Sequence, residues 1–447
     1  MRPEQLKRFS TPVPRYTSYP TAPHFSAAVD ATTYEAWLED LPPGLPLSLY
    51  AHIPFCREMC WYCACSMKVT RRNEPVARYL TALLREIDTV ATRIAHRHQV
   101  THIHWGGGSP SILLPDQIRE LAGKLKQRFV LAADAEFAVE VDPRGLDEDR
   151  IRAFAEAGVN RVSIGVQDFN QAVQDAINRQ QSVELTAWVV DTFRAHGVKG
   201  INIDLVYGLP FQTLETVDQT MEHVLALKPD RIALFGYAHL PQRITHQRLI
   251  DEDAMPSTAE RFSQATKAAE RLTKAGFVSI GLDHYAMPTD PLAAGNVRRN
   301  FQGYTTDDAA ALIGLGASSI GKLPQGYVQN AVPIADYERR VGDGGLATVR
   351  GHAMSTDDEA RGFIIERLMC AFEFPADELR SRYGALAEPI LAQAAALQAS
   401  DIADMIVPDA SGDGFTITDK GRIFVRSICA KFDSYLGKGM AQHSAGV

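Results

Sequence analysis

Four thiols fall within ten residues of this chain: Cys56, Cys60, Cys63 and Cys65, in the stretch HIPFCREMCWYCACSMK at 52–68. Thiolates are soft ligands. Three of them spaced C-x3-C-x2-C on a tight loop can turn their sulfurs toward one inorganic centre, either zinc or an iron–sulfur cluster. A structural zinc wants four ligands and usually draws a second knuckle from a distant segment. No second C-x2-C occurs, and the remaining cysteines, Cys370 and Cys429, lie far away in helical, apolar contexts that suit buried structural thiols. Cys65 follows Cys63 too closely to complete a good tetrahedron with Cys56 and Cys60. Three thiolates on a four-iron cube would leave one iron open for a substrate or cofactor, which is the more economical arrangement. Trp61 and Met67, beside the thiols, read as hydrophobic shielding.

The 447 residues are too many for one ordinary core, so two or three domains are expected. Hydrophobic residues at 45% and charged residues at 22% are ordinary for a globular protein. No apolar run is long enough to span a membrane. The start, MRPEQLKRFSTPVPRYTSYP, has no apolar signal-peptide core, which predicts a cytoplasmic protein with reduced thiols. A formal charge of -8 argues against a general nucleic-acid binder, so anionic ligands must be held by local basic groups.

The segments that must position the thiols alternate between β-rich runs and helical patterns from about 46 to 290. Candidate strands lie at 46–55, 100–108, 136–143, 161–169, 200–210, 231–240 and 277–285. Between them, residues such as Leu80, Leu83, Leu84, Ile87, Val90 and Ile94 share one helix face. Asp147 and Ser257 stand where helix caps belong. The alternation predicts parallel strands with right-handed crossovers. Glu140, Gln167 and Asp204 sit at or near C-terminal strand ends, which share one mouth in a barrel. No G-x-G-x-x-G follows the first strand and no G-x4-G-K-[ST] occurs, so a nucleotide fold of either kind is disfavoured. The fold class expected is α/β, a complete or partial TIM-type (β/α) barrel. His52, His104, His239 and His284 fall at strand positions facing that mouth, where a buried, hydrogen-bonded role is the default.

Three domains follow: an N-terminal arm at 1–35, a catalytic domain at 36–340 and a mainly helical C-terminal domain at 341–447 with some winged-helix character. The acidic balance favours a packing or lid role for the last over DNA binding. The arm carries Arg15, Tyr16, Tyr19 and Phe25, side chains that suit docking against the body over open solvent.

C-x3-C-x2-C directly after a first strand, with Tyr62 before the third cysteine and GGGSP at 106–110 ending the second strand, resembles the radical S-adenosylmethionine (SAM) superfamily. Within it, PRYTSYPTA (14–22), YAHIPFC (50–56), HWGGGSP (104–110), EVDPR (140–144), GVQDFN (165–170), NIDLVYGLP (202–210), YAHLP (237–241) and RNFQGYTT (299–306) resemble the oxygen-independent coproporphyrinogen III oxidase family. Two positions depart from that family's pattern: Ala64 stands where it usually has Gly, and Ser66 where it usually has Asn.

The resemblance implies a radical SAM barrel holding a 4Fe-4S cluster on Cys56, Cys60 and Cys63. It places Tyr50, Gly107, Glu140 and Ile320 against SAM at the open iron, with Tyr50, Glu140 and Cys65 in the catalytic set. Tyr62, Gly108, Ser109, Gln167, Arg179, Asp204 and Ala238 match contacts to a second SAM. The implied reaction is oxidative decarboxylation of two propionates to vinyls in haem synthesis, by hydrogen abstraction, loss of CO2 and loss of one electron. The implied partners are the substrate coproporphyrinogen III and a reduced flavodoxin- or ferredoxin-type donor, with no nucleic acid and no membrane, and the chain acting as a monomer. Arg15, Lys68, Arg71, Arg72, Arg298 and Arg299 are candidate anchors for the substrate's carboxylates. The alternatives are a haem chaperone or haem-modifying relative, and a zinc-stabilised binding module. Chaperones of that class typically lack Cys65 and the PRYTSYP arm.

Overall fold

A computed structural model describes residues 12–400 and 402–437. The first eleven residues of the expected arm and the last ten of the expected C-terminal domain lie outside the described residues.

The apolar runs form one twelve-stranded sheet. Its strands are β1 (Leu47–Ile53), β2 (Gln99–Gly107), β3 (Val130–Val141), β4 (Arg161–Gln167), β5 (Gly200–Tyr207), β6 (Arg231–Gly236), β7 (Val278–Ile280), β8 (His284–Ala286), β9 (Ala311–Leu315), β10 (Ile320–Leu323), β11 (Gly326–Asn330) and β12 (Thr348–Ala353). The order is β12-β11-β10-β9-β1-β2-β3-β4-β5-β6-β8-β7. Strands β9, β1, β2, β3, β4, β5 and β6 are parallel, as the β-then-α alternation requires. The expected last strand at 277–285 is instead the antiparallel pair β7–β8, turned at Gly281 with φ 54°. The two edges, β12 and β7, do not pair with each other, so the barrel is partial.

Crossover helices cover the sheet. Helix α1 (Asn73–Arg93) buries Tyr79, Leu80, Leu83, Ile87 and Val90, close to the expected stripe. In α2 (Glu148–Ala157) the Asp147 side chain accepts the Arg150 N–H, and Ser257 caps α3 (Thr258–Lys274) in a box with Glu260. The GLGASSIG stretch at 314–321 runs from β9 into β10, and β10, β11 and β12 extend the sheet by antiparallel hairpins. The sheet therefore passes residue 340, where the sequence turns helical.

Hydrophobic packing divides near residue 355. One core gathers side chains from Val29 to Ala347 around the sheet. A second joins the helices and small three-stranded sheet of 360–432. Val13, Tyr16 and Tyr19 of the arm belong to that second core. Tyr16 also donates to Asp433 at 3.0 Å, Phe25 stacks on Tyr327 at 5.5 Å, and Ser26 bridges Gly351 on the outer side of β12. No helix among the described residues is long and apolar enough to cross a membrane.

Candidate active site

The cysteine loop leaves the sheet after β1 and is clamped from several sides. The Trp61 N–H donates to the Ile177 carbonyl at 2.9 Å, and Asn178 Nδ2 to the Met59 carbonyl at 2.7 Å. Gln247, fully buried, donates to the carbonyls of Tyr62 and Ala238, at 3.0 and 3.1 Å. His246 Nε2 lies 2.6 Å from the Cys63 carbonyl. Trp61 and Tyr62 pack on a small core of Val173, Ile177, Val206, Leu209, Tyr237 and Ile250. The aromatic pair thus fixes the loop's direction. Ala64 is absent from the residues with positive φ, so alanine sits there without strain.

A cavity of about 310 Å³ opens between this loop and the C-terminal ends of β2 to β6. It brings together Cys56, Cys60, Cys63 and Cys65 with Tyr62, Gly107, Gly108, Ser109, Glu140, Gln167, Arg179, Asp204 and Ala238. Two expected contacts stand outside its walls. Tyr50 lies in β1, its hydroxyl 3.0 Å from His52 Nδ1, and Ile320 opens β10 opposite Gln329.

The glycines are required by the protein's own packing. A Cβ on Gly106 would lie 2.8 Å from the Glu140 carboxyl, one on Gly107 2.8 Å from the His52 ring, and one on Gly108 2.5 Å from the Phe55 carbonyl oxygen. Gly107 also has φ 119°, where a side chain is strained. Gln167 adopts φ 70° at the end of β4, a left-handed turn uncommon outside glycine, which re-aims the chain at the cavity rim.

Charge is arranged around the sulfurs. Arg144 Nη2 lies 3.2 Å from Cys60 Sγ, and Arg179 Nη1 lies 3.5 Å from the same atom. Both guanidiniums also pair with Asp142, at 2.7 and 3.3 Å. Burial pushes the Asp142 carboxyl up, but these two arginines outweigh it and hold the group well below the usual range. Arg179 Nη2 donates to the Gly165 carbonyl, while its buried Nε has no hydrogen-bond partner. Arg144 carried no assigned role in the sequence; only its place in EVDPR pointed to it.

Glu140 faces His104 Nε2 at 2.9 Å and the Gly107 N–H at 3.4 Å. Burial raises this carboxyl, yet His104 and Gly107 together leave it below its ordinary value. Asp204, held by Ser163 at 2.9 Å and Asn202 at 2.8 Å, goes the other way: burial and the Glu140 charge raise it to about 6. The site therefore holds two ionised carboxylates, Asp142 and Glu140, and one, Asp204, that titrates near neutrality. His52 and His284 are buried and hydrogen-bonded as expected, whereas His239 spans the Tyr237 hydroxyl and Glu252.

The donor set suits a cationic iron–sulfur centre. Burial and neighbouring sulfurs push the Cys56 thiol up to about 12, a penalty that metal ligation reverses. Hydrogen bonding from Cys65 draws Cys63 down to about 7 against the effect of burial. Among the described residues, no three His, Cys, Asp or Glu side chains converge as a single ion needs.

Comparison with known proteins bears on the same residues. The Radical SAM superfamily matches residues 50–224. The chain is 48% identical to the oxygen-independent coproporphyrinogen III oxidase of Bradyrhizobium diazoefficiens, covering 97% of both chains. It is 44% identical to that of Paracoccus denitrificans, over 99% of this chain and 98% of the relative. The solved coproporphyrinogen III oxidase of Escherichia coli, described as a radical SAM enzyme, superposes with a TM-score of 0.89 at 38% identity, over 94% of this chain and 97% of that one. Cysteine loop, glycine floor and 48% identity over 97% of the chain agree: this chain belongs to the oxygen-independent coproporphyrinogen III oxidase family of the radical SAM superfamily.

Proposed function

We propose that the protein converts coproporphyrinogen III to protoporphyrinogen IX without oxygen, turning two propionate side chains into vinyl groups in haem synthesis. One observation carries the reading: three thiols, a glycine floor and a carboxylate–arginine set meet in one cavity, in a chain similar to coproporphyrinogen III oxidases over 97% of its length. Cys56, Cys60 and Cys63 would hold a 4Fe-4S cluster, with SAM beside it. When bound, that pair supplies a reductively generated carbon radical able to take hydrogen from an unactivated carbon.

The chain's own residues bind, orient and exclude. Arg144 and Arg179, donating to the Cys60 sulfur, stabilise negative charge at that ligand. Glu140, kept ionised by His104, accepts hydrogen bonds from the SAM ammonium group. Asp204 and Arg179 offer an acceptor and a fork of donors to further ribose and carboxylate groups. Gly107 and Gly108 keep side chains out of the floor. Arg15 brings the arm to the cavity wall, and its cover limits quenching by water. Each vinyl group formed takes a hydrogen atom, CO2 and one further electron from its propionate.

A separate cleft of about 300 Å³ joins Cys56 to Arg57, Arg71 and Arg144, the last two paired with Glu58 and Asp142, and gives a small flavodoxin- or ferredoxin-type donor a route to the cysteine loop. The test is an anaerobic assay with reduced protein, SAM and coproporphyrinogen III, following CO2 and 5′-deoxyadenosine. Turnover that Cys63→Ala abolishes supports the reading. Loaded protein that binds haem and forms no vinyl group refutes it.

A further inference from the structure

A larger cavity, of about 570 Å³, lies beside the cysteine cavity. Its walls are α3, the ends of β5 and β6, the β7–β8 pair and the C-terminal segment 419–426; the two cavities share Arg15, Phe235, Gly236 and Tyr237. The volume falls within the roughly 300–1,000 Å³ of small-molecule sites. Arg15, Arg261, Arg299, Lys420, Arg422 and Arg426 line it, against the two carboxylates of Asp283 and Asp419. In a chain of formal charge -8 this local excess runs against the overall composition. Like charges gathered in a part-buried space repel one another and favour an anion entering among them.

The internal partners do not use up the donors. Asp419 meets Arg422 at 3.2 Å, and Lys420 pairs with Asp404. Asp283 lies 2.7 Å from His284 and 3.8 Å from Arg299 Nη1. Arg299 Nε and Nη1 are buried without a hydrogen-bond partner, and the guanidinium carbon sits over the Tyr304 ring, 4.3 Å from its centroid. Arg261 meets no carboxylate among the described residues. Its Nη2 donates to the Tyr237 carbonyl at 2.8 Å, and its buried Nε has no hydrogen-bond partner. Burial lowers Arg261, with Arg15 adding to the effect, and burial with the charges of Arg15 and Arg299 brings Arg426 down to about 10.

The shared rim is narrow in chemistry as well as position. Gly236 has no side chain there, and a Cβ would lie 2.9 Å from the Tyr207 hydroxyl. Arg15 Nη2, 3.3 Å from the Gly236 carbonyl, overhangs both spaces. A flat ligand carrying several carboxylates can leave most of them among the cations and extend one across Gly236 toward the sulfurs.

We propose that this second cavity anchors the substrate's non-reacting propionates, with Arg261 and Arg299 as principal carboxylate binders and Arg15 positioning the reacting arm at the Gly236 rim. The inference rests on the functional reading above. Of the basic residues expected from the sequence to serve as anchors, it keeps Arg15 and Arg299 and leaves out Lys68, Arg71, Arg72 and Arg298. It adds Arg261, whose sequence surroundings gave no such sign.

The test uses anaerobic holoenzyme and two readouts: fluorescence titration with coproporphyrin III, the oxidised, non-reacting relative of the substrate, and steady-state turnover. Arg261→Gln is expected to weaken coproporphyrin binding and raise KM about tenfold, the loss of one charge-assisted contact. The cluster's spectrum and SAM affinity should stay at the wild-type level, and Arg261→Lys should recover part of the loss. Arg422→Gln, at the half-exposed side of the cavity, gives a second measurement should Arg261→Gln fold poorly, with a smaller rise in KM expected. The tetramethyl ester of coproporphyrin, uncharged, should bind wild type and Arg261→Gln alike. Wild-type turnover with unchanged KM in both variants overturns the anchor, as does ester binding as tight as that of the acid. Absence of turnover in the wild type overturns the function itself and is thereby distinguishable.

Discussion

Cys65 is exposed at the lip of the cysteine cavity, and its backbone N–H donates to the Cys63 sulfur at 3.4 Å. The family resemblance places this thiol in the catalytic set and outside the cluster ligands. Cys65→Ala should therefore keep about four irons and four sulfides per chain while CO2 release falls by about 100-fold or more, the size of a lost acid–base or hydrogen-transfer group. Iron and sulfide analysis beside the turnover assay checks both halves. Asp204 gives a second expectation. Its carboxyl is raised to about 6, so it is ionised and accepting above that value and takes a proton below it. SAM affinity should fall about tenfold between pH 7 and pH 5, and Asp204→Asn should flatten the profile, read by equilibrium binding across that range. The sequence made the thiols, Glu140 and Asp204 legible because strand ends and cysteine spacing are local patterns. Arg144, His246 and Gln247 were not, because they reach the cysteine loop across 84, 183 and 185 residues, a distance no local pattern encodes.

Among the elements, α1 and the β9–β12 hairpins are tied by one buried carboxyl. Glu86 accepts from the Gly316 N–H at 2.6 Å, Asn330 Nδ2 at 2.6 Å and the Tyr337 hydroxyl at 2.7 Å. Burial nonetheless raises it from its ordinary 4.5 to about 7. Because the folded value lies above the unfolded one, the protonated form adds stability that is complete below pH 4.5 and lost as pH climbs through 7. Relative to Glu86→Gln, wild type should lose about 3 kcal/mol between pH 4.5 and pH 8, measured by anaerobic denaturant unfolding. Gly108→Ala tests the glycine floor. Its Cβ would meet the Phe55 backbone, which cannot swing aside as a side chain can, so cluster content after reconstitution should drop by half or more. The parallel strands were legible from their β-branched runs and alternating helices. The β7–β8 turn and the hairpin extension were not, since short antiparallel strands carry too few residues to show a period. Thr348–Ala353, read on the helical side of the boundary, is held in the sheet by its pairing with β11.

At the scale of the whole molecule, an acidic chain gathers six of its cations around one cavity. Raising salt from roughly 0.05 to 0.5 M shortens the screening length severalfold, so KM for the porphyrinogen should rise by about threefold or more while SAM binding in the cysteine cavity moves little. Parallel titrations at the two salt concentrations check this. The docking of Tyr16 and Tyr19 was foreshadowed by aromatic content; that they join the C-terminal core, leaving Arg15 between two cavities, depends on the packing of that core.

Ser26 exchanges both backbone hydrogen bonds with Gly351, at 2.8 and 2.9 Å, and so guards the free margin of β12. An exposed strand margin is a template for stacking copies of a protein into aggregates. Peeling the N-terminal segment back past Ser26 to admit a bulky guest would bare that template. Keeping Ser26 paired with Gly351 keeps that margin guarded.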